Sequence, residues 1–338
     1  MKAVGFYKSL PIANDKALVD LDLPVPVPGP RDLLVRVQAV SVNPVDTKVR
    51  ARVTPAEGQP HILGYDAVGI VEAVGSEASL FRPGDAVFYA GDITRSGTNA
   101  EFHCIDERIV GHKPASLSLG EAAAMPLTAI TAWEALFDRL DVRKAVPGAA
   151  HAILIVGGAG GVGSIATQLA RQLTDLTVIT TASRPETVAW SRALGAHHVV
   201  DHAKPLAAEV AALGLGKPGF VFSTTSTDRH LGQIVELIAP QGRFALIDDP
   251  DSLDILPFKR KSVSTHWEFM FTRSMFATAD IAGQGQLLDE VARLVDAGTL
   301  KSTFAESFGT ISAANLRRAH ALIESGRAKG KIVLEGWA

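Results

Sequence analysis

The chain has 338 residues, enough for about two domains of roughly 150 residues each. Hydrophobic residues make up 47% and charged residues 20%, which supplies a sizeable core and excludes a disordered chain. The balance of 33 Lys and Arg against 36 Asp and Glu, a net charge of −3, calls for no nucleic-acid or anionic-membrane partner.

The first zone, residues 1–122, alternates short apolar stretches with turn signals. Residues 33–37, 68–71 and 86–88 are apolar, and Asn43-Pro44 and Arg82-Pro83-Gly84-Asp85 punctuate them. This spacing predicts short strands in a β-rich, barrel-like domain. Pro24, Pro26, Pro28 and Pro30 lack backbone donors, so 24–30 is predicted as an extended loop. One cysteine, Cys104, excludes an internal disulfide and the usual cysteine-built structural zinc sites. That thiol content suits a reducing compartment. The N-terminal residues carry no signal-like stretch, and apolar runs such as 152–156 fall far short of the roughly 20 residues a spanning helix needs. A soluble, cytoplasmic protein without a membrane partner is expected.

The second zone, 123–266, changes rhythm. Apolar runs at 152–156, 177–181, 198–200, 220–222 and 244–247 alternate with helical patterns. Val162, Ile165, Ala166, Leu169, Ala170 and Leu173 recur at helical spacing, as do Leu231, Ile234, Val235 and Ile238. Strands alternating with amphipathic helices predict βαβ units and a parallel sheet covered on both faces, an α/β fold. The third zone, 267–338, holds two helical patterns and a short strand at 331–334. It is too small for its own core and is expected to pack back on the first domain.

The strongest chemical signal is Gly157-Gly158-Ala159-Gly160-Gly161-Val162-Gly163. It contains G-x-G-x-x-G at Gly158, Gly160 and Gly163, after an apolar strand and at the opening of a helix. Glycines let backbone N–H groups approach a pyrophosphate, and the helix N-terminus, with Gly161 and Val162, adds partial positive charge beneath it. A close-packed turn is one alternative, which the strand, loop and helix order disfavours, and a methyl-donor site, which also uses a glycine-rich first turn, is another that no other feature requires. An NAD site carries Asp or Glu at the end of the second strand. Here that strand ends Thr181-Ala182-Ser183-Arg184. Ser183 and Arg184 offer a hydroxyl and a guanidinium to a 2′-phosphate, which favours NADPH. The alternative is NADH, with Arg184 an ordinary exposed residue.

Further motifs carry a family resemblance. They are Ser41-Val42-Asn43-Pro44-Val45-Asp46, Leu63-Gly64-Tyr65-Asp66-Ala67-Val68-Gly69, Arg82-Pro83-Gly84-Asp85, the stretch 126–133, the glycine loop and Gly330-Lys331-Ile332-Val333-Leu334. Together they resemble the medium-chain dehydrogenase/reductase superfamily, in its zinc-free quinone oxidoreductase and enoyl-reductase branch. The resemblance implies a GroES-like β-barrel catalytic domain over 1–122, a Rossmann NADP-binding domain with a doubly wound parallel sheet over 123–266, and a C-terminal return to the catalytic domain over 267–338. It also implies a homodimer. At positions where zinc-binding relatives hold Cys, His and Cys, this chain has Asn43, Tyr65 and Leu127. Asp66 replaces the Glu of the Gly-His-Glu motif. No metal is therefore expected. His103 and the pair His197 and His198 lack ligand spacing and are taken as surface or packing residues.

Without a Lewis acid, reduction of a quinone or an α,β-unsaturated carbonyl is expected over alcohol oxidation. Asn43 and Tyr65 are candidate donors to the substrate oxygen, with Tyr65 or water supplying the proton. Asp46 and Asp66 are weaker candidates, with turn capping and barrel hydrogen bonding as equal alternatives. Cofactor contacts are expected from Thr131, which the resemblance places near the nicotinamide, and from Thr224, Thr225 and Ile247 at the carboxyl ends of the fourth and fifth strands. Lys329 is placed to reach the cofactor phosphates or the substrate mouth. Trp267 and Leu127 are assigned to the substrate pocket, and Phe271 to a dimer contact. A zinc-free alcohol or ketone dehydrogenase and a non-catalytic NADPH-binding redox sensor are the rival functions.

Overall fold

The computed structural model describes residues 1–337. They divide into two compact units, 1–130 with 271–337, and 131–270.

In the first unit, strands β1 (Lys2–Phe6), β2 (Val19–Asp22) and β4 (His61–Ile62) form a small antiparallel sheet in the order β2-β1-β4. The larger sheet is organised around β3 (Asp32–Val42), an 11-residue strand. It pairs antiparallel with β5 (Ala67–Val74) and with β7 (Phe102–Asp106), and its pairing with β5 contains two register shifts. Beyond β5 come β6 (Ala86–Tyr89) and β8 (Val110–His112). Buried Leu33, Val35 and Val37 alternate along β3, as a strand with one core face requires. Helix α1 (Pro44–Arg52) starts where β3 ends. Pro44 occupies its first turn, and Asp46 Oδ2 accepts the N–H of the cap residue Asn43 at 2.8 Å. Helices α2 (Leu119–Ala123) and α3 (Pro126–Trp133) follow. The 24–30 segment contains no helix or strand, in line with its prolines.

The second unit holds strands β9 (Ala150–Val156), β10 (Thr177–Thr181), β11 (His198–Val200), β12 (Pro218–Ser223), β13 (Arg243–Leu246) and β14 (Ser264–Trp267). All are parallel, in the order β11-β10-β9-β12-β13-β14. The order reverses at β9, which makes this a doubly wound sheet with its ligand crevice at the carboxyl ends of β9 and β12. Helices α4 (Gly161–Leu173), α5 (Pro185–Ala193), α6 (Leu206–Ala211) and α7 (Thr227–Leu237) supply the crossovers. Leu154, Val156, Ile179 and Val221 pack with Leu206, Val210, Ile234 and Leu237 on one face. Strand alternation turns the equally buried Ile153 and Ile155 to the other face. Gly195 follows α5 at φ +104°, a left-handed conformation that suits glycine.

The chain then returns to the first unit through α8 (Thr272–Met275), α9 (Gly283–Asp296), β15 (Phe304–Ser307), α10 (Ala313–Glu324) and β16 (Lys331–Glu335). Strand β16 pairs antiparallel with β3, placing Ile332 opposite Val42 and Val333 opposite Ser41. No helix is long and apolar enough to cross a membrane among the described residues.

One aromatic assignment is corrected here. Phe271, expected at a dimer contact, is 2% exposed, and its ring meets Tyr65 edge-on at 5.3 Å. A benzyl group buried inside its own unit cannot serve a second chain. Trp267 ends the edge strand β14 and is 54% exposed, so it lines no enclosed pocket within that unit.

Candidate active site

In the first unit, the end of β3, the cap of α1, the turn before β5, the first residues of α3 and the start of β16 converge on Asp66. Its side chain is fully buried. Oδ2 accepts from Ser41 Oγ at 2.7 Å, Asn43 Nδ2 at 2.7 Å and Lys331 Nζ at 2.8 Å. Oδ1 accepts the backbone N–H of Leu127 at 2.7 Å. Lys331 Nζ also donates to Asn43 Oδ1. The ammonium, 3% exposed, and the carboxylate form a buried ion pair whose remaining lone pairs are satisfied, the condition under which such a pair is tolerated.

Asp46 lies beside this cluster. It accepts from the N–H groups of Asn43 at 2.8 Å and Gly64 at 3.0 Å. Burial pushes its carboxyl up to about 7; the Asn43 N–H and the Lys331 charge oppose the rise and the Asp66 charge adds to it. Asp46 therefore caps a helix and ties down Gly64, the turn-capping alternative. Tyr65 is 1% exposed, and its hydroxyl has no hydrogen-bond partner. Burial, then the charges of Asp46 and Asp92, hold the phenol well above its ordinary range, so it stays protonated. An unpaired buried hydroxyl costs about 1–3 kcal/mol. Such a donor is retained where a ligand oxygen completes it.

These residues do not fit a zinc ion. Asn43, Tyr65 and Leu127 supply no thiolate or imidazole. Leu127 offers only an N–H donor, and both Asp66 oxygens are occupied by donors that include an ammonium. Among the described residues, no group of three or more His, Cys, Asp and Glu side chains is placed to hold a metal.

The second unit carries a cradle of a different kind. Gly157 has φ +83°, and its N–H donates to Thr181 Oγ1 at 2.9 Å, while the Gly158 N–H donates to Thr181 O at 3.1 Å. A Cβ on Gly158 would lie 2.5 Å from Thr180 Cβ, and one on Gly163 would lie 2.1 Å from Gly157 O. These two glycines are demanded by packing of loop, strand and helix. Gly160 differs, because a Cβ there would meet only Gly157 O, at 3.5 Å. Nothing in the protein requires glycine at 160, and the space it leaves opens beside the N-terminus of α4. That terminus has no side-chain cap, and the N–H groups of Gly161, Val162 and Gly163 lie in its first turn. An anion-seeking cradle of this shape fits a dinucleotide pyrophosphate.

Known proteins carry the same architecture. Residues 29–132 match the alcohol dehydrogenase GroES-like domain, and residues 194–334 match the zinc-binding dehydrogenase family. A zinc-type alcohol dehydrogenase-like protein of Staphylococcus aureus is 38% identical over 337 residues, 99% of each chain. The chain belongs to the medium-chain dehydrogenase/reductase superfamily. Among solved structures, a candidate zinc-dependent alcohol dehydrogenase from Rhizobium etli is 65% identical with a TM-score of 0.98, covering 100% of this chain and 98% of that one. A quinone oxidoreductase of Pseudomonas syringae is 27% identical with a TM-score of 0.83, covering 99% of each.

Within this medium-chain reductase fold, the remaining sequence candidates divide. Asn43 is 1% exposed, with its amide nitrogen bonded to Asp66 and its oxygen to Lys331, so it orders the cluster. Leu127, 7% exposed, contributes its backbone N–H. In the second unit, Thr131 is 5% exposed, and Ile247 is half-buried just past β13. Thr224 Oγ1 donates to Val156 O at 2.8 Å, tying the ends of β12 and β9 together, and Thr225 lies exposed next to it. Ser183 is exposed, and Arg184 Nε pairs with Glu186 Oε1 at 3.1 Å, a carboxylate beyond the strand end that the sequence reading did not weigh. Lys329 lines a cavity of about 250 Å³ in the first unit with Glu306, Leu322 and Arg327. The sequence reading missed Lys331. Its signal was available: a Lys beginning an otherwise apolar strand needs a buried counter-charge. His103, read as surface or packing, is buried and stacked on Tyr89. Its Nε2 lies 2.8 Å from Ser96 O, and its Nδ1 lies 3.1 Å from the Tyr89 hydroxyl.

Proposed function

We propose that the protein is an NADPH-dependent reductase of quinones or α,β-unsaturated carbonyls that works without a metal. The observation that carries this is the buried, unpartnered Tyr65 hydroxyl beside a carboxylate cluster closed by Lys331 rather than by a metal. A bound reduced nicotinamide supplies the hydride. Tyr65 donates its O–H to the substrate carbonyl or quinone oxygen as negative charge develops there. Asp66, Lys331, Asn43 and Ser41 hold the segment 63–66 rigid so that the phenol stays in place. Gly160 and the first turn of α4 bind the pyrophosphate in a loop that Gly157 and Gly158 shape, and Arg184 with Ser183 faces the adenosine 2′-phosphate. Support comes from similarity to quinone oxidoreductases, such as that of Pseudomonas syringae. The protein acts in the cytoplasm as a homodimer, with the edge strand β14 and its exposed Trp267 at the contact.

The test is an NADPH oxidation screen against quinones, enones, enals and simple ketones, with zinc measured on the same preparation. Turnover of quinones or enones by metal-free protein is expected. The names of relatives support a second reading, an alcohol dehydrogenase. NADP-linked turnover of simple alcohols with inert quinones would establish that instead, and stoichiometric zinc would overturn the metal-free mechanism. Sedimentation equilibrium tests the dimer.

A further inference from the structure

Two imidazoles stand beside the dinucleotide cradle and have no part in the proposed reaction. His202 follows β11, His230 lies in α7, and their ring centroids are 6.2 Å apart. Both are half-buried. His202 Nδ1 lies 3.1 Å from Thr181 Oγ1, the same oxygen that accepts the Gly157 N–H at 2.9 Å. Thr181 is 1% exposed, and its hydroxyl is within reach of His202 Nδ1. The Gly157 N–H donates to Thr181 Oγ1, and the Thr181 hydroxyl donates to Nδ1 of neutral His202 and turns to accept from it when the imidazole is protonated. Neutral His202 then carries its proton on Nε2. The glycine cradle and His202 are joined by one shared hydroxyl.

The surrounding charges come from four segments. Arg184, itself paired with Glu186, lies after β10, and Asp201 precedes His202. Arg229 and Asp228 flank His230 on α7, and Asp248 follows β13. Burial lowers the titration of His202, with Asp201 opposing and Arg184 reinforcing. Burial lowers His230 as well, reinforced by His202 and Arg229 and opposed by Asp228 and Asp248. In the free protein both rings are held below the ordinary imidazole range. A phosphate dianion placed beside Arg184 reverses this local field, because a nearby anion favours the imidazolium form.

We propose that His202, with His230 beside it, reads the adenosine 2′-phosphate of the cofactor by taking up a proton when that phosphate binds. The proposal rests on the NADPH reading above and adds a titrating determinant to it. Its sign is fixed by linkage. The bound form holds more protons than the free form, so affinity for 2′-phosphorylated dinucleotides is greatest at low pH. It falls as pH rises through the raised titration of the bound imidazole. One linked proton changes affinity by up to about tenfold per pH unit. NAD(H), lacking the phosphate, shows no such dependence. A proton lost from the phosphate on meeting Arg184 would carry the opposite sign.

The test is calorimetry of the whole protein with NADP⁺, NAD⁺, adenosine 2′,5′-bisphosphate and 5′-AMP, in buffers of different ionisation enthalpy between about pH 6 and 8. Expected is net proton uptake with NADP⁺ and the bisphosphate and none with NAD⁺ or 5′-AMP. In His202→Gln the uptake falls by at least half and the preference for the bisphosphate drops several-fold. His230→Gln serves as the second variant, with a smaller loss of uptake. Phosphate discrimination without proton uptake overturns this proposal alone. No discrimination between the bisphosphate and 5′-AMP overturns the NADPH reading and this proposal with it.

Discussion

Asp66 and Tyr65 test two different kinds of buried polar group. Lys331→Met leaves the Asp66 carboxylate buried without its ammonium, and breaking such a pair costs about 3–5 kcal/mol. Urea unfolding should show that loss, and the double variant Asp66→Asn with Lys331→Met should recover much of it. A single variant as stable as the native protein would mean the pair carries no burial constraint. Tyr65→Phe should behave in the opposite way. The hydroxyl has no partner to lose, so stability should hold or rise, while kcat should fall about 10²-fold, as when an oxyanion donor is removed. Unchanged turnover would remove Tyr65 from the chemistry. Asn43 and Tyr65 were legible as neighbours in this buried cluster because short motifs hold them, but the engagement of both Asn43 amide atoms by Asp66 and Lys331 was not. Lys331 was not, because it reaches Asn43 across 288 residues, through the antiparallel register of β16 on β3. Sequence periodicity carries no information about that register.

At the scale of elements, the unit β9–loop–α4 separates glycines that packing demands from one, Gly160, that packing does not. Gly163→Ala would press a methyl group to 2.1 Å from Gly157 O, against backbone that cannot yield. Its thermal transition should fall by several degrees or the protein should fail to fold. Gly160→Ala meets nothing closer than 3.5 Å, so its melting should stay close to native while dinucleotide affinity falls at least tenfold by calorimetry. Equal melting and equal affinity in Gly160→Ala would deny the cradle its ligand. The helix α4 was readable because Ile165, Ala166, Leu169 and Ala170 repeat at helical spacing and are all buried. Strand β14 was less so. Its backbone pairing with β13 runs from Ser264 to Trp267, an exposed residue that hydrophobicity assigns inward. Phe271 erred the other way, since an aromatic near an edge strand reads as a contact until its packing on Tyr65 is seen. Arg184 belongs to this scale too. Its guanidinium is paired with Glu186, the second residue of the helix it precedes, and under the proposed NADPH reading Arg184→Ala should shift the NADPH-to-NADH affinity ratio toward NADH, while an unchanged ratio would exclude the guanidinium from phosphate recognition.

Across the whole molecule, buried titratable groups set opposing limits on stability. Burial lowers His103 to about 4 and His320 to about 3. In the unfolded chain both titrate near 6.5, so as pH falls below that value the unfolded state takes up protons first. Stability from these two residues is present above pH 6.5 and lost as pH falls toward 4 and 3. The carboxyls act in the reverse sense. Asp46 is raised to about 7 by burial, and Glu268 is raised far above the carboxylate range by burial first and by Glu134 second, with Arg139 opposing through a 2.9 Å bond. Their stability is present below the unfolded values near 4 and lost as pH rises through the folded ones. Between about pH 4.5 and 6.5 the lowered histidines, His202 and His230 among them, and the two raised carboxyls pull in opposite directions. Above 6.5 the histidines no longer add to stability, and melting temperature should fall, first through Asp46 and then, above pH 7, through Glu268. Glu268→Gln removes the titrating proton while keeping an oxygen for Arg139. Calorimetric scans from pH 5 to 9 should show the alkaline decline of the second unit flattened in this variant, with the decline through Asp46 in the first unit unchanged. If Glu268→Gln declines as steeply as the native protein above pH 7, the buried carboxyl pair is not what limits stability in alkali.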